Sequence, residues 1–590
     1  MWQGLARWWR GTGGGDAPAG PVAATAAPTD WIAQGNAALA QGRMQEAAEA
    51  YARASEADPR NPAARLNHGF ALLELGQAAA ALTDFTQCLA LAAPGDRLRV
   101  DAQFLAGRAH ASLGRAGEAA ASYQAALADA PAFEEARVAL AQLRLATGAT
   151  AQVLELTSGQ PLPRPLALVR AQALHAMGRA QESLALVDGV LAQDPACAPA
   201  LDGRGVVLMD QDRAQEAIAS FERAVAAAGA TPDRLANLAA AYQRLARLDE
   251  AIAHADGALQ LAPGHPRARW NRALSHLLRG ELARGWEDFE ARWDAGVIAG
   301  DTRLRSHAPR WTGEDLRGRS ILLDMEQGLG DTLQFLRYVP VLADRGAGVC
   351  VRVQAPLVDL VRASLPDATV LAPADPPPPV DFYCELLSVP RWAGVALDAI
   401  PSAVPYLQPD PGRVAAWEER LAQAAQGRLR VGLVWSGNPG HLNDRNRSIT
   451  LRALQPLADL DVLFVSMKPD LGEADRASLA AWPRLLDAGP RLKDFSDTAA
   501  LIHGLDLVLS VDTSVAHLAG ALGKPVWILL PWLPDWRWML GREDSPWYPT
   551  AHLYRQVQPQ DWSAPLQRVQ ADLARRADQR AGEAKGSFRK

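Results

Sequence analysis

From Trp31 to about residue 290, small residues, one aromatic and a proline return at a fixed spacing. Gly35, Ala47, Tyr51, Ala54 and Pro59 reappear 34 residues on as Gly69, Ala81, Phe85, Cys88 and, one step late, Pro94. After a four-residue insertion they return as Gly107, Ala119, Tyr123, Ala126 and Pro131. Later copies carry Gly205, Ala217, Phe221 and Ala224, then Tyr242, Ala251, Ala258 and Pro263. This pattern predicts paired helices: small residues let two helices approach closely, the aromatic fills the seam, and proline stops the second helix. Repeated pairs stack into a solenoid with a long concave face, expected here over 30–300. Over 134–163 the period is poorly kept, with Gly148 and Gly159 interrupting it, so the solenoid is expected to be irregular there.

From Ser320 onward short apolar runs alternate with helical stretches. ILLDM, TLQFLRYVPVLADRG, VCVRV and PLVDLVRASLP come first, followed by Pro376–Pro379 and the linker IPSAVPYLQPDPG. RVGLVW, a helix near LRALQPLADL, VLFVS, a helix near DTAALIHGL, DLVLSVD, VAHLAGALG and PVWILLP then follow. Strand alternating with helix implies parallel βαβ units. Two such series predict two Rossmann-like lobes, 319–410 and 428–575, facing a cleft. The expected fold class is thus an α solenoid followed by α/β, with a flexible leader at 1–29 and a tail at 576–590. The two lobes are expected to fold separately from the repeats, so that removal of residues up to about Asp301 leaves ligand binding intact.

Composition narrows the classes of function. With 590 residues, 49% hydrophobic and 21% charged, the chain can bury large cores, which excludes global disorder. A net charge of −6 without a Lys/Arg block excludes a dedicated nucleic-acid binder. Cys88, Cys197, Cys350 and Cys384 are far apart with no CxxC pair, which argues against a disulfide scaffold or structural zinc and fits a reducing cytoplasm. No apolar run is long enough to cross a bilayer. Trp2, Arg7, Trp8, Trp9 and Arg10 leave the leader one alternative to plain disorder, a short amphipathic helix making weak membrane contact. Fourteen of the eighteen tryptophans lie from Trp270 onward, so the two halves pack differently.

In an open parallel sheet ligands bind beyond the carboxyl ends of the strands, which selects the polar residues to consider. ILLDM is followed by Glu326, Gln327, Gly328, Leu329, Gly330 and Asp331. RVGLVW is followed by Ser436, Gly437 and Asn438, then by Arg445 and Arg447; VLFVS by Lys468; and DLVLSV by Asp512, Thr513, Ser514 and His517. Thr513 and Ser514 should open a helix whose free amides favour an anion such as a diphosphate. Arg445, Arg447 and Lys468 would supply countercharge on the same rim. A lone Gly328-x-Gly330 is not a dinucleotide fingerprint, so no nicotinamide or flavin cofactor is expected. Asp459 and Asp461 form a DxD but precede a strand, at the amino edge, and no cluster has metal-ligand spacing, so no metal is expected. Asn67, Asn237 and Asn271 fall at the same point of their repeats, where an amide could both donate to and accept from a peptide; solvated surface positions are the alternative.

Three resemblances give these residues a context. The period and its small/small/aromatic/small/Pro pattern resemble the tetratricopeptide repeat, in which an asparagine ladder clamps extended peptides. VDTSVAHLAGALGKPVWIL resembles the D-T-G-x-x-H-L-x-x-A-L-x-x-P signature of bacterial heptosyltransferases, and GLGDTLQFLRYVP their first-strand motif, over roughly Ser320 to Leu573. That likeness implies the GT-B fold, with a nucleotide-sugar held mainly by the C-terminal lobe and the acceptor against the N-terminal lobe. It further implies Asp331 as general base, Asp512 and His517 at the donor sugar and diphosphate, and Arg447 at the phosphates. Ser514 departs from the family's glycine, and PWLPDWRWMLGREDSPWYP is richer in aromatics, either for stacking on a base or sugar or for core packing. Repeats joined to such a transferase resemble the protein O-GlcNAc transferases and bacterial proteins that glycosylate flagellin, which share the junction GWEDFEARW, Gly285 to Trp293. The expectation is a metal-independent transferase moving a sugar from a nucleotide to a serine or threonine of a protein, flagellin first, recruited on the concave face of the repeats. A lipopolysaccharide or other glycan acceptor is the second expectation, and a repeat scaffold without turnover the third.

Overall fold

The computed structural model describes residues 30–159, 162–296, 308–326, 328–440 and 443–587. The leader 1–29 and Gln327 lie outside them. Two compact units are present, with the boundary between Gln211 and Asp212, inside the span the repeat pattern covers.

The first unit is built of helix pairs, beginning with Trp31–Ala40 and Met44–Ala57, then Pro62–Glu74 and Ala78–Leu91, then Arg97–Ser112 and Ala116–Asp129. The repeated glycine and aromatic are one device. A Cβ on Gly35, Gly69 or Gly107 would stand 2.4, 2.7 or 2.5 Å from the ring of Tyr51, Phe85 or Tyr123 respectively. Each ring therefore fills the space that the glycine leaves on the facing helix. Gly107→Ala should accordingly overpack its seam and cost about 1–3 kcal/mol, read as a lower midpoint in urea unfolding. In the irregular stretch, Glu134–Ala146 is followed by a second helix of only seven residues, Thr150–Leu156.

The second unit opens with further repeat helices, Ala214–Ala228, Pro232–Arg244, Leu248–Leu261, Pro266–Leu278 and Leu282–Phe289. Two parallel sheets follow. The first holds β1 Ser320–Asp324, β2 Gly348–Arg352, β3 Thr369–Leu371 and β4 Phe382–Glu385, in the order β3-β2-β1-β4. The second holds β5 Leu429–Val434, β6 Val462–Ser466, β7 Leu485–Asp487, β8 Leu507–Val511, β9 Val526–Leu530 and β10 Ala551–Arg555, in the order β10-β9-β8-β5-β6-β7. Strand order reverses between β1 and β4 and between β5 and β8, and at such a switch point the loops leave a crevice.

Several elements differ from the pattern's expectation. TLQFLRYVPVLADRG forms two helices, Leu329–Phe335 and Tyr338–Asp344, because Pro340 has no N–H to give the Leu336 carbonyl. LRALQPLADL makes tight 3-10 turns over Leu451–Leu457, with Pro456 inside. The helix Ser563–Ser587 runs through most of the expected tail.

The last repeat helices share a core with the sheets. Trp286 and Phe289 meet Trp536, at 5.3 and 5.8 Å between ring centres. Behind them Arg292, which is wholly buried, bonds Glu326 at 2.8 Å and Ser388 at 2.7 Å. Glu326 also accepts from the Leu387 amide at 2.9 Å. Burial pushes the Glu326 carboxyl up to about 7 despite Arg292. Burial acts the same way on Glu290, but Arg292 and Arg310 hold it down to about 2. The GWEDFEARW segment is thus a structural part of the α/β unit, and the expected independence of a fragment starting after Asp301 is corrected: such a cut removes buried aromatics and the partner of a buried carboxylate.

Candidate functional site

A cleft of about 1450 Å³ opens at the carboxyl ends of both sheets. The loops after β1, β5, β6 and β8 line it, as do Trp270, Leu274 and Leu278 from the repeat helix Pro266–Leu278. The helix Leu329–Phe335 packs on Ser514–Ala521, and only a glycine at 330 permits this: a Cβ there would lie 2.9 Å from His517 Cδ2.

On the β5–β8 side, Asp512 ends its strand. Burial and, after it, Asp535 push the Asp512 carboxyl up to about 6, with Trp538, Arg447 and Arg537 opposing. His517 lies 3.9 Å away through Nε2 and stacks on Trp538 at 5.2 Å. Burial holds the His517 imidazole well below its ordinary value, and Arg537, Arg337 and Arg447 add to this, so the ring is neutral. Its Nδ1 is 3.0 Å from the Tyr548 hydroxyl; a hydroxyl that donates there leaves the ring proton on Nε2, toward Asp512. Thr513 precedes the helix Ser514–Ala521 but turns its hydroxyl 3.0 Å from Ser510 and caps no amide. The first amides of that helix therefore face the cleft uncapped, which suits an anionic group. Arg447 donates to the Asp512 carbonyl at 2.9 Å, and Lys468 bonds the Ser436 hydroxyl. Asn438 accepts from the Gly440 amide at 2.9 Å.

Across the cleft, Asp331 Oδ2 accepts from the Gly328 amide at 2.8 Å, and Oδ1 accepts from Arg537 Nη2 at 2.6 Å. One cleft thus gathers Asp331, Ser436, Asn438, Arg447, Lys468, Asp512, Thr513, Ser514 and His517. Arg445 instead pairs with Asp212 at 2.5 Å. Asp461 of the DxD pairs with Arg428 at 2.6 Å, and neither Asp459 nor Asp461 lines the cleft. Among the described residues no cluster of three or more His, Cys, Asp or Glu could hold a metal.

The asparagine ladder needs correction. Asn271 is buried and donates to the Ala236 carbonyl at 2.8 Å, Asn237 accepts from Arg267, and Asn67 is buried as well. Asn271 spends its amide within the repeats, because an amide buried between helices needs a partner there, whereas Asn237 is half-buried and takes an exposed arginine. The Trp-rich segment divides in two: Trp536, Trp538 and Trp547 are core, while Trp532 stays 38% exposed on the cleft wall. Sequence reasoning missed Arg537, Asp535 and the Trp270 wall. The available signal was the alternation of charge with tryptophan in PDWRW.

Comparison with known proteins agrees with both halves of the chain. Models of the tetratricopeptide repeat match residues 35–76, 66–132 and 168–232. The model described as glycosyltransferase family 9 (heptosyltransferase) matches residues 457–529. The chain joins tetratricopeptide repeats to a glycosyltransferase family 9 segment. That segment spans β6 to β9 and holds Lys468, Asp512, Thr513, Ser514 and His517. Protein FlbA of Caulobacter vibrioides is 26% identical over 434 residues, covering 68% of this chain and 71% of that protein. Among solved structures, a tetratricopeptide repeat protein of Parabacteroides merdae is 17% identical, with a TM-score of 0.35, and covers 42% of this chain and 97% of its own. A repeat protein of Thermus thermophilus is 25% identical, with a TM-score of 0.23, over 37% of this chain and 100% of its own. No helix among the described residues is long and apolar enough to cross a membrane.

Proposed function

We propose that this repeat-bearing glycosyltransferase moves a sugar from a nucleoside diphosphate donor to a serine or threonine hydroxyl of a protein, flagellin being the first candidate, without a metal. The family 9 match supports glycosyl transfer as the reaction. What supports a protein acceptor is the cleft itself: Trp270 and Leu274 of a repeat helix line the same space as Asp331 and Asp512. A solenoid whose end forms one wall of the cleft can hand an extended polypeptide to the reacting centre and raise its local concentration there.

In this mechanism Asp331 takes the hydroxyl proton as the oxygen bonds the anomeric carbon, and the bond from that carbon to the diphosphate breaks. Charge left on the diphosphate is met by the amides of Ser514 and Val515, by Arg447 and by Lys468, the role that a cation fills elsewhere. Asp512 and the neutral His517 border the donor sugar. The heptosyltransferase likeness favours a second reading, the same chemistry on a lipopolysaccharide or other glycan.

The pH dependence of donor binding tests the site. Asp512 ionises through about 6, while burial holds His517 neutral beside it. A nucleotide-sugar, whose diphosphate is already ionised, should therefore bind more weakly at pH 7.5 than at pH 5.5. The expected difference is on the order of 1 kcal/mol, about fivefold. Calorimetry with UDP-, GDP- and ADP-sugars measures it, and Asp512→Asn should flatten the profile. EDTA should leave binding and transfer unchanged; loss on chelation that a divalent ion restores would overturn the metal-free mechanism.

A further inference from the structure

Arg537 belongs to the segment after β9, in the donor lobe, yet its guanidinium crosses to the helix Leu329–Phe335 of the other lobe. There Nη2 donates to Asp331 Oδ1 at 2.6 Å and Nε to Gln334 Oε1 at 2.6 Å. Nη1 donates to Asp535 Oδ1 at 2.9 Å, on its own segment. The side chain is 8% exposed, and its guanidinium lies 4.3 Å from the Trp536 ring centre and 5.8 Å from that of Phe335. Burial alone would weaken such a cation, but Asp535, Asp331 and Asp512 hold it charged.

We propose that Arg537 is the positioning residue of the acceptor base: it fixes the Asp331 carboxylate in one orientation and ties it to the lobe that holds the donor. The proposal rests on the reading of Asp331 as base. Two bonds constrain that carboxylate, one from its own helix start at Gly328 and one from the opposite lobe. The second ties the carboxylate itself, and not only the helix that carries it, to the donor lobe. All three nitrogens of Arg537 already have partners within the protein, and a planar fork packed between rings has little freedom to turn toward a phosphate. A lysine could reach Asp331 but not Gln334 and Asp535 together.

The test uses the full chain with whichever of a panel of UDP-, GDP-, ADP- and CMP-linked sugars supports transfer. Arg537→Ala should lower kcat by about a hundredfold or more while the donor KM moves less than about threefold. Arg537→Lys should recover part of kcat, again with KM unchanged, and this variant carries the test if the alanine variant does not fold. Because Arg537 acts through Asp331, Asp331→Asn combined with Arg537→Ala should be no slower than Asp331→Asn alone. A raised donor KM with kcat intact would make Arg537 a donor ligand and overturn the proposal, as would losses that multiply in the double variant. Full transfer by Asp331→Asn alone would instead remove the base itself, an outcome the single variant reports independently of Arg537.

Discussion

A chain lacking residues 1–301 is expected to lose donor binding altogether, whereas one lacking residues 1–211 keeps it. The longer deletion removes Trp286 and Phe289 from the core they share with Trp536, and large-to-small changes at such positions cost about 3–5 kcal/mol each. It also removes Arg292 and leaves Glu326 buried without its cation, which costs about 3–5 kcal/mol more. Those losses together reach the whole stability of an ordinary domain, roughly 5–15 kcal/mol. The shorter deletion ends at the boundary between the compact units and touches none of these contacts. Circular dichroism and calorimetry with a nucleotide-sugar on both fragments provide the check. Equal donor binding by the two would show that residues 212–301 are only a linker.

The second large effect is expected at Asp331. Asp331→Asn keeps one oxygen to accept from Arg537 and gives up only the bond from the exposed Gly328 amide, so the cleft should retain its shape and its donor affinity. What the amide lacks is the ability to take a proton from the acceptor hydroxyl. General bases contribute on the order of 10²–10⁴ in rate, and transfer should fall by that factor with donor binding unchanged. A loss of donor affinity instead would mean that the substitution disturbed the lobe contact through Arg537.

Much of this was legible from the residues alone, for identifiable reasons. The glycine-to-aromatic spacing is local, because Gly35 meets Tyr51 within one helix pair. The rule that ligands sit beyond strand ends needs only the order of elements. It therefore places Asp331, Arg447, Lys468 and Asp512 at the cleft, along with Arg445, which pairs with Asp212 instead. PDWRW marks Arg537 as unusual, but its pairing with Asp331 was not legible, since that bond joins residues 206 positions apart and no periodicity encodes it. Asn271 misled for the opposite reason: its register suggested an open clamp, while its burial assigned the amide to Ala236. The strands β3 and β7, with three residues each, are too short to stand out as apolar runs.

The most direct measurement is the mass of a purified candidate acceptor, flagellin first, after incubation with the nucleotide-sugar panel and either the full chain or its Asp331→Asn variant. The expected result is a sugar-sized increment on serine or threonine with the unaltered chain and none with the variant. An acceptor protein left at its original mass, with the sugar recovered on lipopolysaccharide or another glycan, would contradict transfer to protein. An increment of equal size and rate from both chains would contradict the role given to Asp331.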